Sequence, residues 1–224
     1  ESNNMAIIES AIANKRRGNH VIVSSVEHSS VKEPFRYLEE NGFNVTYLPV
    51  DNRGLVSVDA LKEALDEETI LVSVMLVNNE IGTIEPVEKI GKIVKDCNKD
   101  IIFHVDAIQA YGKMRIYPKK MNIDLLSVSG HKIHGPKGTG FLFIKDKTKI
   151  KPLILGGGQQ RAMRSGTENV PGIVGLGKAC EIAMSNMKER TKKEIELRDH
   201  LIDRIIKEVP YSRLNGHPFK RLPN

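Results

Sequence analysis

Ser127-Val-Ser-Gly-His-Lys132-Ile-His-Gly-Pro-Lys-Gly138 is the stretch that decides how this sequence folds. The run leading into it, Asp124-Leu-Leu-Ser-Val-Ser129, is apolar and too short for a helix, so it reads as a buried strand. A glycine-punctuated turn follows, and Lys132 stands in that turn. Open parallel sheets bind ligands just beyond the carboxyl ends of their strands, which makes Lys132 a candidate reagent, although most lysines are only solvated surface charges. A phosphate-loop reading fails. Gly130 and Gly135 have the right separation, but Pro136 stands where the loop's lysine belongs. Nor is there a dinucleotide fingerprint, because Gly156-Gly-Gly158 is followed by Gln159, Gln160 and Arg161.

Outward from this strand, strand and helix signals alternate. Met5, Ile8 and Ile12 recur at helical spacing. Strands are expected at His20–Ser25, Asn44–Val50, Thr69–Val77 and Ile101–Asp106, and helices at Val31–Asn41, Asp59–Asp66 (with Asp59 as N-cap) and Pro86–Cys97. Such β-α-β-α alternation predicts an α/β fold with a mainly parallel sheet covered by helices on both faces. Gly156-Gly-Gly158 marks a loop, after which Pro171–Met187 and Arg190–Val209 read as long helices. The tail from Leu214 to Asn224 reads as a turn leading into a strand that lies beyond this sequence. We therefore expect a large cofactor-binding domain over residues 1–187, and a connecting helix with the start of a small domain over 188–224.

Composition excludes several classes. The longest apolar stretch, Ile70–Val77, is far below the roughly 20 residues of a membrane span. The net charge of +6 is spread among interleaved acids, and the absence of tryptophan leaves little to stack on bases, so no nucleic-acid partner is expected. Two cysteines, Cys97 and Cys180, argue against a disulfide scaffold and suit a reducing cytoplasm; both lie on apolar helical faces and are expected to be buried. No metal site is expected. The opening at Glu1, inside what already reads as a helix, suggests that the sequence starts partway along a longer chain.

Polar residues cluster where the strands end. Glu27-His28 follows the first strand, Asn78-Asn79-Glu80 the third, Asp106 and Gln109 the fourth, and Ser129-Gly130-His131-Lys132 the fifth. Each has an ordinary explanation, such as a helix cap, a turn or a surface ion pair. On a parallel sheet, however, they converge on one rim. A lysine, a buried acid, an aromatic ring and an amide suit pyridoxal 5'-phosphate, whose chemistry asks for a Schiff-base lysine and an acid beside the pyridine nitrogen.

The segments Ser129–Gly138, Asn78–Gly82, His104–Gln109 and Arg164-Ser-Gly-Thr167-Glu-Asn169 together resemble the NifS/IscS-type cysteine desulfurases, fold-type I pyridoxal phosphate enzymes related to class-V aminotransferases, along the whole chain. The resemblance implies that Lys132 carries the cofactor and moves protons, favoured as a neutral amine by burial and nearby positive charge. It implies that Asp106 keeps the ring nitrogen protonated and that His28 stacks on the ring. Gln109 would meet the ring hydroxyl, and Asn79 the cofactor and the substrate carboxylate. Ser129, His131 and the Gly130 backbone would hold the phosphate, and Thr167 would reach the phosphate of a neighbouring subunit in a homodimer. The implied reaction converts L-cysteine to L-alanine and delivers persulfide sulfur to a scaffold protein of iron-sulfur cluster assembly or thio-modification.

Members of that family also carry a phosphate loop just before the point where this sequence starts. Beyond its last residue they carry a flexible loop with the nucleophilic cysteine and an arginine for the substrate carboxylate. Neither Cys97 nor Cys180 has that loop context. Other readings stay open at this point: a related aminotransferase, a selenocysteine lyase, or a fragment without turnover of its own.

Overall fold

The computed structural model describes residues 1–224. Its core is a six-stranded sheet built from β1 (His20–Ser24), β2 (Asn44–Leu48), β3 (Thr69–Ser73), β4 (Ile102–Asp106), β5 (Leu125–Ser129) and β6 (Gly140–Ile144), in the order β2-β1-β3-β4-β5-β6. The first five strands are parallel and β6 is antiparallel to β5. The antiparallel strand was not legible as a separate element from the apolar pattern. Its short connection from β5 explains its direction, since a parallel return needs a crossover of a dozen residues or more.

Helices cover both faces, as the alternation predicts. On one face lie the helical residues 2–14 (α1), wound as a π-helix over Met5–Glu9, and α2 (Ser29–Glu40). On the other lie α3 (Val58–Ala64) and α4 (Val87–Cys97). The strands divide their side chains between these layers with the two-residue period of extended backbone. Val21, Leu71, Ile102 and Leu125 pack with Ile7, Phe35 and Leu38, while Ile22, Val72, Phe103 and Leu126 pack with Leu61, Ile90 and Val94. Burial of a side chain such as the fully enclosed Phe103 is worth about 1.5–3 kcal/mol.

Two helices follow β6: α5 (Val170–Ser185) and α6 (Met187–Glu208). Leu176, Ala179 and Ala183 of α5 pack on Ile133, so α5 lies directly against the turn that carries Lys132. No helix is long and apolar enough to cross a membrane.

Three local expectations need correction. Ser57, not Asp59, caps α3: its hydroxyl accepts from the Ala60 N–H at 3.2 Å, while Asp59 pairs with Lys62 in the first turn. Cys97 is exposed, because α4 ends at that residue and its apolar face is completed by Val87, Ile90, Gly91 and Val94. Cys180 is half-buried rather than buried. The tail makes one antiparallel bridge, Thr83 to Arg221.

Candidate active site

The chain runs from β1 outward to β2 and then crosses back to β3 on the other side of β1. That reversal opens a crevice at the carboxyl ends of β1 and β3, which is where doubly wound sheets take ligands. The ends of β1, β3, β4 and β5 are consecutive neighbours, so four strands deliver their last residues to a rim about 15 Å across. Glu27-His28, Asn78-Asn79, Asp106 and the Ser129–Lys132 turn all stand on it.

Asp106 ends β4 and is 4% exposed. Its Oδ1 accepts from the Ile108 N–H at 2.9 Å and its Oδ2 from the Asn3 side chain at 2.9 Å. Burial pushes its pKa above the usual carboxylate range; the Ile108 and Asn3 hydrogen bonds and the nearby His28 oppose that rise. A cation brought to this carboxylate would offset the burial cost, which is what a protonated ring nitrogen does. Asn3 sits at the start of α1 and also donates to Ser30 Oγ at 3.0 Å, so it links the acid to the first turn of α2.

His28 caps α2. Its Nδ1 accepts from the Ser30 N–H at 3.1 Å, which places the proton of a neutral ring on Nε2. The ring is exposed at the rim. Asn79 is exposed too, at the tip of a loop shaped by its neighbour Asn78, whose amide donates to the Val26 carbonyl at 3.0 Å and accepts from the Glu80 and Ile81 N–H groups. Gln109, half-buried, lies in the turn after Asp106.

Lys132 occupies a 3-10 turn, Gly130–Ile133, closed by His134 at φ 62°. It is half-buried, and its charge adds to burial in holding the pKa of Lys113 below the usual lysine range. Ser129 Oγ and His131 Nδ1 lie 2.7 Å apart, forming a paired hydroxyl and imidazole beside Lys132. Gly130 is required here by close approach: a Cβ would sit 2.9 Å from Leu176 Cδ1 and 3.0 Å from Thr139 Oγ1. Its N–H, expected to face a phosphate, instead donates to the Thr139 carbonyl at 2.9 Å and anchors β6. Phosphate contacts would therefore come from the Ser129 and His131 side chains. Thr167 is exposed and makes no hydrogen bond to this group.

Several residues that shape the rim carry no role in the sequence pattern alone. Asn3 looked like helix interior, yet it reaches Asp106 across 103 positions. Glu27 is buried, with its Oε1 accepting from Ser24 Oγ and from the Met75 N–H, each at 2.6 Å. His104, two residues before Asp106 on β4, is enclosed between Ser73 Oγ at 2.8 Å and Ser127 Oγ at 3.0 Å, and burial drives its pKa down to about 3, so it stays neutral. A cavity of about 430 Å³ between α1 and α2, lined by Asn4, Ile8, Ser29, Ser30, Glu33, Pro34 and Tyr37, does not reach Lys132.

The lysine, buried acid, capping imidazole and hydroxyl–imidazole pair fit pyridoxal phosphate in kind, and the under-compensated burial of Asp106 is the feature that asks for a cationic ring. Comparison with known proteins points the same way. The profile of the family described as Aminotransferase class-V matches residues 1–223. A protein named cysteine desulfurase IscS from Methanosarcina thermophila is 53% identical over 224 residues, covering 100% of this chain and 55% of that protein. An IscS from Clostridium botulinum is 54% identical over 226 residues, covering 100% of this chain and 56% of that protein. The chain thus spans about half the length of the curated relatives it matches. Among solved structures, a NifS-like protein superposes with a TM-score of 0.96 at 43% identity, covering 100% of this chain and 60% of that one. DndA from Streptomyces lividans gives 0.90 at 35% identity, covering 99% of this chain and 63% of that one. On its sequence, its sheet and its rim, the chain belongs to the class-V aminotransferase family.

Proposed function

We propose that this chain forms most of the cofactor-binding domain of a pyridoxal 5'-phosphate-dependent cysteine desulfurase. The enzyme would convert L-cysteine to L-alanine and pass the sulfur, as a persulfide, to a scaffold protein of iron-sulfur cluster assembly or thio-modification in the cytoplasm. The observation that carries the reading is the meeting on one sheet rim of Lys132, the buried Asp106 and the capping His28. The identity of about half the residues to proteins named cysteine desulfurase supports it.

Pyridoxal phosphate, when bound, supplies an electron sink for the carbon beside the substrate's amino group. The residues of this chain would position and protonate. Asp106, ionised against the ring nitrogen, would be the fixed counter-charge. Lys132 would carry the cofactor and shuttle the substrate's α-proton, for which its short 3-10 turn fixes the backbone and leaves the amine free to swing. His28, with Nδ1 committed to the α2 cap, would present its ring face and Nε2–H to the crevice. Gln109 and Asn79 would orient the ring hydroxyl and the substrate carboxylate, and Ser129 and His131 the phosphate.

Thr167, exposed ahead of α5, would serve the site of a second copy, making the active form a homodimer. The boundary near residue 187, between α5 and α6, is the proposed division between the large domain and the start of the small one. Neither cysteine of this chain is placed to take sulfur. Cys97 ends α4 next to the start of β4, at the end of the sheet away from Lys132, and Cys180 is half-buried beside Tyr111.

The test uses a polypeptide that carries the additional segments of the relatives. Pyridoxal phosphate is added, and the absorbance band of lysine-bound cofactor is compared with that of Lys132→Ala. An unchanged band in the variant rejects the lysine assignment. With L-cysteine, alanine and sulfide should appear together; amino-group transfer without sulfide would make the protein an aminotransferase instead.

A further inference from the structure

Glu27 is a buried carboxyl for which the reaction has no use, and its hydrogen bonding is lopsided. Oε1 takes both donors, Ser24 Oγ and the Met75 N–H, each at 2.6 Å, while Oε2 is buried with no partner. The charged groups that act on it, Asp106 and Glu85, are both acids, and no lysine or arginine is among them. An ionised Glu27 would leave a bare anionic oxygen in the interior facing two like charges, which is the most costly state available to it. A proton on Oε2 removes that cost and leaves Oε1 free to accept both hydrogen bonds.

The bonds themselves matter to the rim. Glu27 immediately precedes His28, and Met75 lies on the extension of β3 that leads into the Asn79 loop. Asn78 makes a parallel tie through the Val26 carbonyl. The turn that presents His28 is thus fastened to the segment that presents Asn79 at two points, and Glu27 is one of them.

We propose that Glu27 is a positioning residue of this site: a neutral carboxylic acid that fixes the His28 turn to the end of β3 while leaving Asp106 as the anion that faces the cofactor ring. The proposal rests on the pyridoxal phosphate reading of the rim. Burial, assisted by Asp106 and Glu85 and opposed by the Ser24 and Met75 hydrogen bonds, raises the Glu27 pKa to about 8, which agrees with a neutral acid at neutral pH.

Glutamine reproduces a neutral acid's shape and acceptor, and alanine reproduces neither. In the full-length protein, Glu27→Gln should bind pyridoxal phosphate within about threefold of the parent, and Glu27→Ala should bind it about tenfold or more weakly. The cofactor-free protein supplies an independent readout. Its infrared spectrum at pH 6.5, after subtraction of the Glu27→Gln spectrum that retains the Glu85 contribution, should show a protonated-carboxyl stretch that fades as pH passes about 8. Absence of that band, or a loss in Glu27→Gln as large as in Glu27→Ala, overturns the proposal. If instead the parent shows no Lys132-dependent absorbance with pyridoxal phosphate, the cofactor reading fails, while the infrared band still decides the protonation state of Glu27.

Discussion

Asn3→Ala separates cofactor binding from stability. In the folded protein the Asn3 amide nitrogen donates to Asp106 Oδ2 at 2.9 Å and to Ser30 Oγ at 3.0 Å, while its own Oδ1 is buried without a partner. A hydrogen bond to a charged acceptor is worth about 1.5–3 kcal/mol. Its removal raises the Asp106 pKa further, since the Asn3 bond is one of the interactions that oppose the rise caused by burial. The ionised acid that would face the ring nitrogen becomes harder to form, and pyridoxal phosphate affinity should fall about 10- to 150-fold. Stability should change far less. The variant loses two hydrogen bonds but also removes an orphaned carbonyl oxygen, whose burial costs about 1–3 kcal/mol. The assay pairs a pyridoxal phosphate titration by absorbance with urea unfolding of the cofactor-free protein. An affinity within twofold of the parent, at unchanged urea midpoint, would refute the role of Asn3 as a support for the acid. Asn3→Asp is the complementary variant: it places a second carboxyl against Asp106, so binding should weaken most at the pH where both ionise.

Three further outcomes follow from the packing. Burial raises the Glu85 pKa from its usual value to about 7, so the native protein holds a proton that the unfolded chain has already released; stability from this group falls as pH rises from about 4.5 to 7 and is level above. Glu85→Gln should abolish that slope and gain up to about 3 kcal/mol at pH 8 relative to pH 5, read from urea midpoints. Asp124, 5% exposed, accepts from the Phe103 N–H and pairs with Lys95 and Lys145, so Asp124→Ala should cost about 3–5 kcal/mol by leaving Lys95 without its anion. Gly130→Ala forces a methyl against Leu176 and Thr139, which should cost about 1–3 kcal/mol and weaken the lysine-dependent absorbance by tilting the Lys132 turn, as seen by calorimetry and spectroscopy on the same samples.

The sheet was legible because its strands are short apolar runs that end abruptly in polar residues. The same contrast exposed the rim, since nothing in ordinary packing calls for Asp106, Asn79 and Lys132 at three neighbouring strand ends. What stayed hidden depends on orientation. Asn3 lies in the first helical turn, just ahead of the π-turn, and the pattern of apolar positions carries no record of where its amide points. Glu27 sat beside a more conspicuous histidine, and its burial shows only once β1 and β3 are neighbours. Gly130 illustrates the opposite error. A glycine in a turn suggests a free N–H for an anion, but the antiparallel return of β6 uses that donor. Cys97 was assigned to the core by counting along α4, although the helix ends at that very residue.

The tie between the tail and the Asn79 loop bears on the order in which the protein assembles. The Leu222 N–H donates to the Gly82 carbonyl at 2.8 Å, the Ile84 N–H to the Lys220 carbonyl at 3.0 Å, and the His217 N–H to Thr83 Oγ1 at 3.0 Å, the last pair lying 134 positions apart. Contacts that close such long loops form late, because the chain entropy they consume must first be offset by nearer contacts. During synthesis the sheet and the Lys132 turn can therefore be in place while the loop beside them is still loose, and the rim acquires its final outline only when residues 217–222 dock. Competence of the rim to bind a cofactor should then follow the docking of residues 217–222 rather than the folding of the sheet.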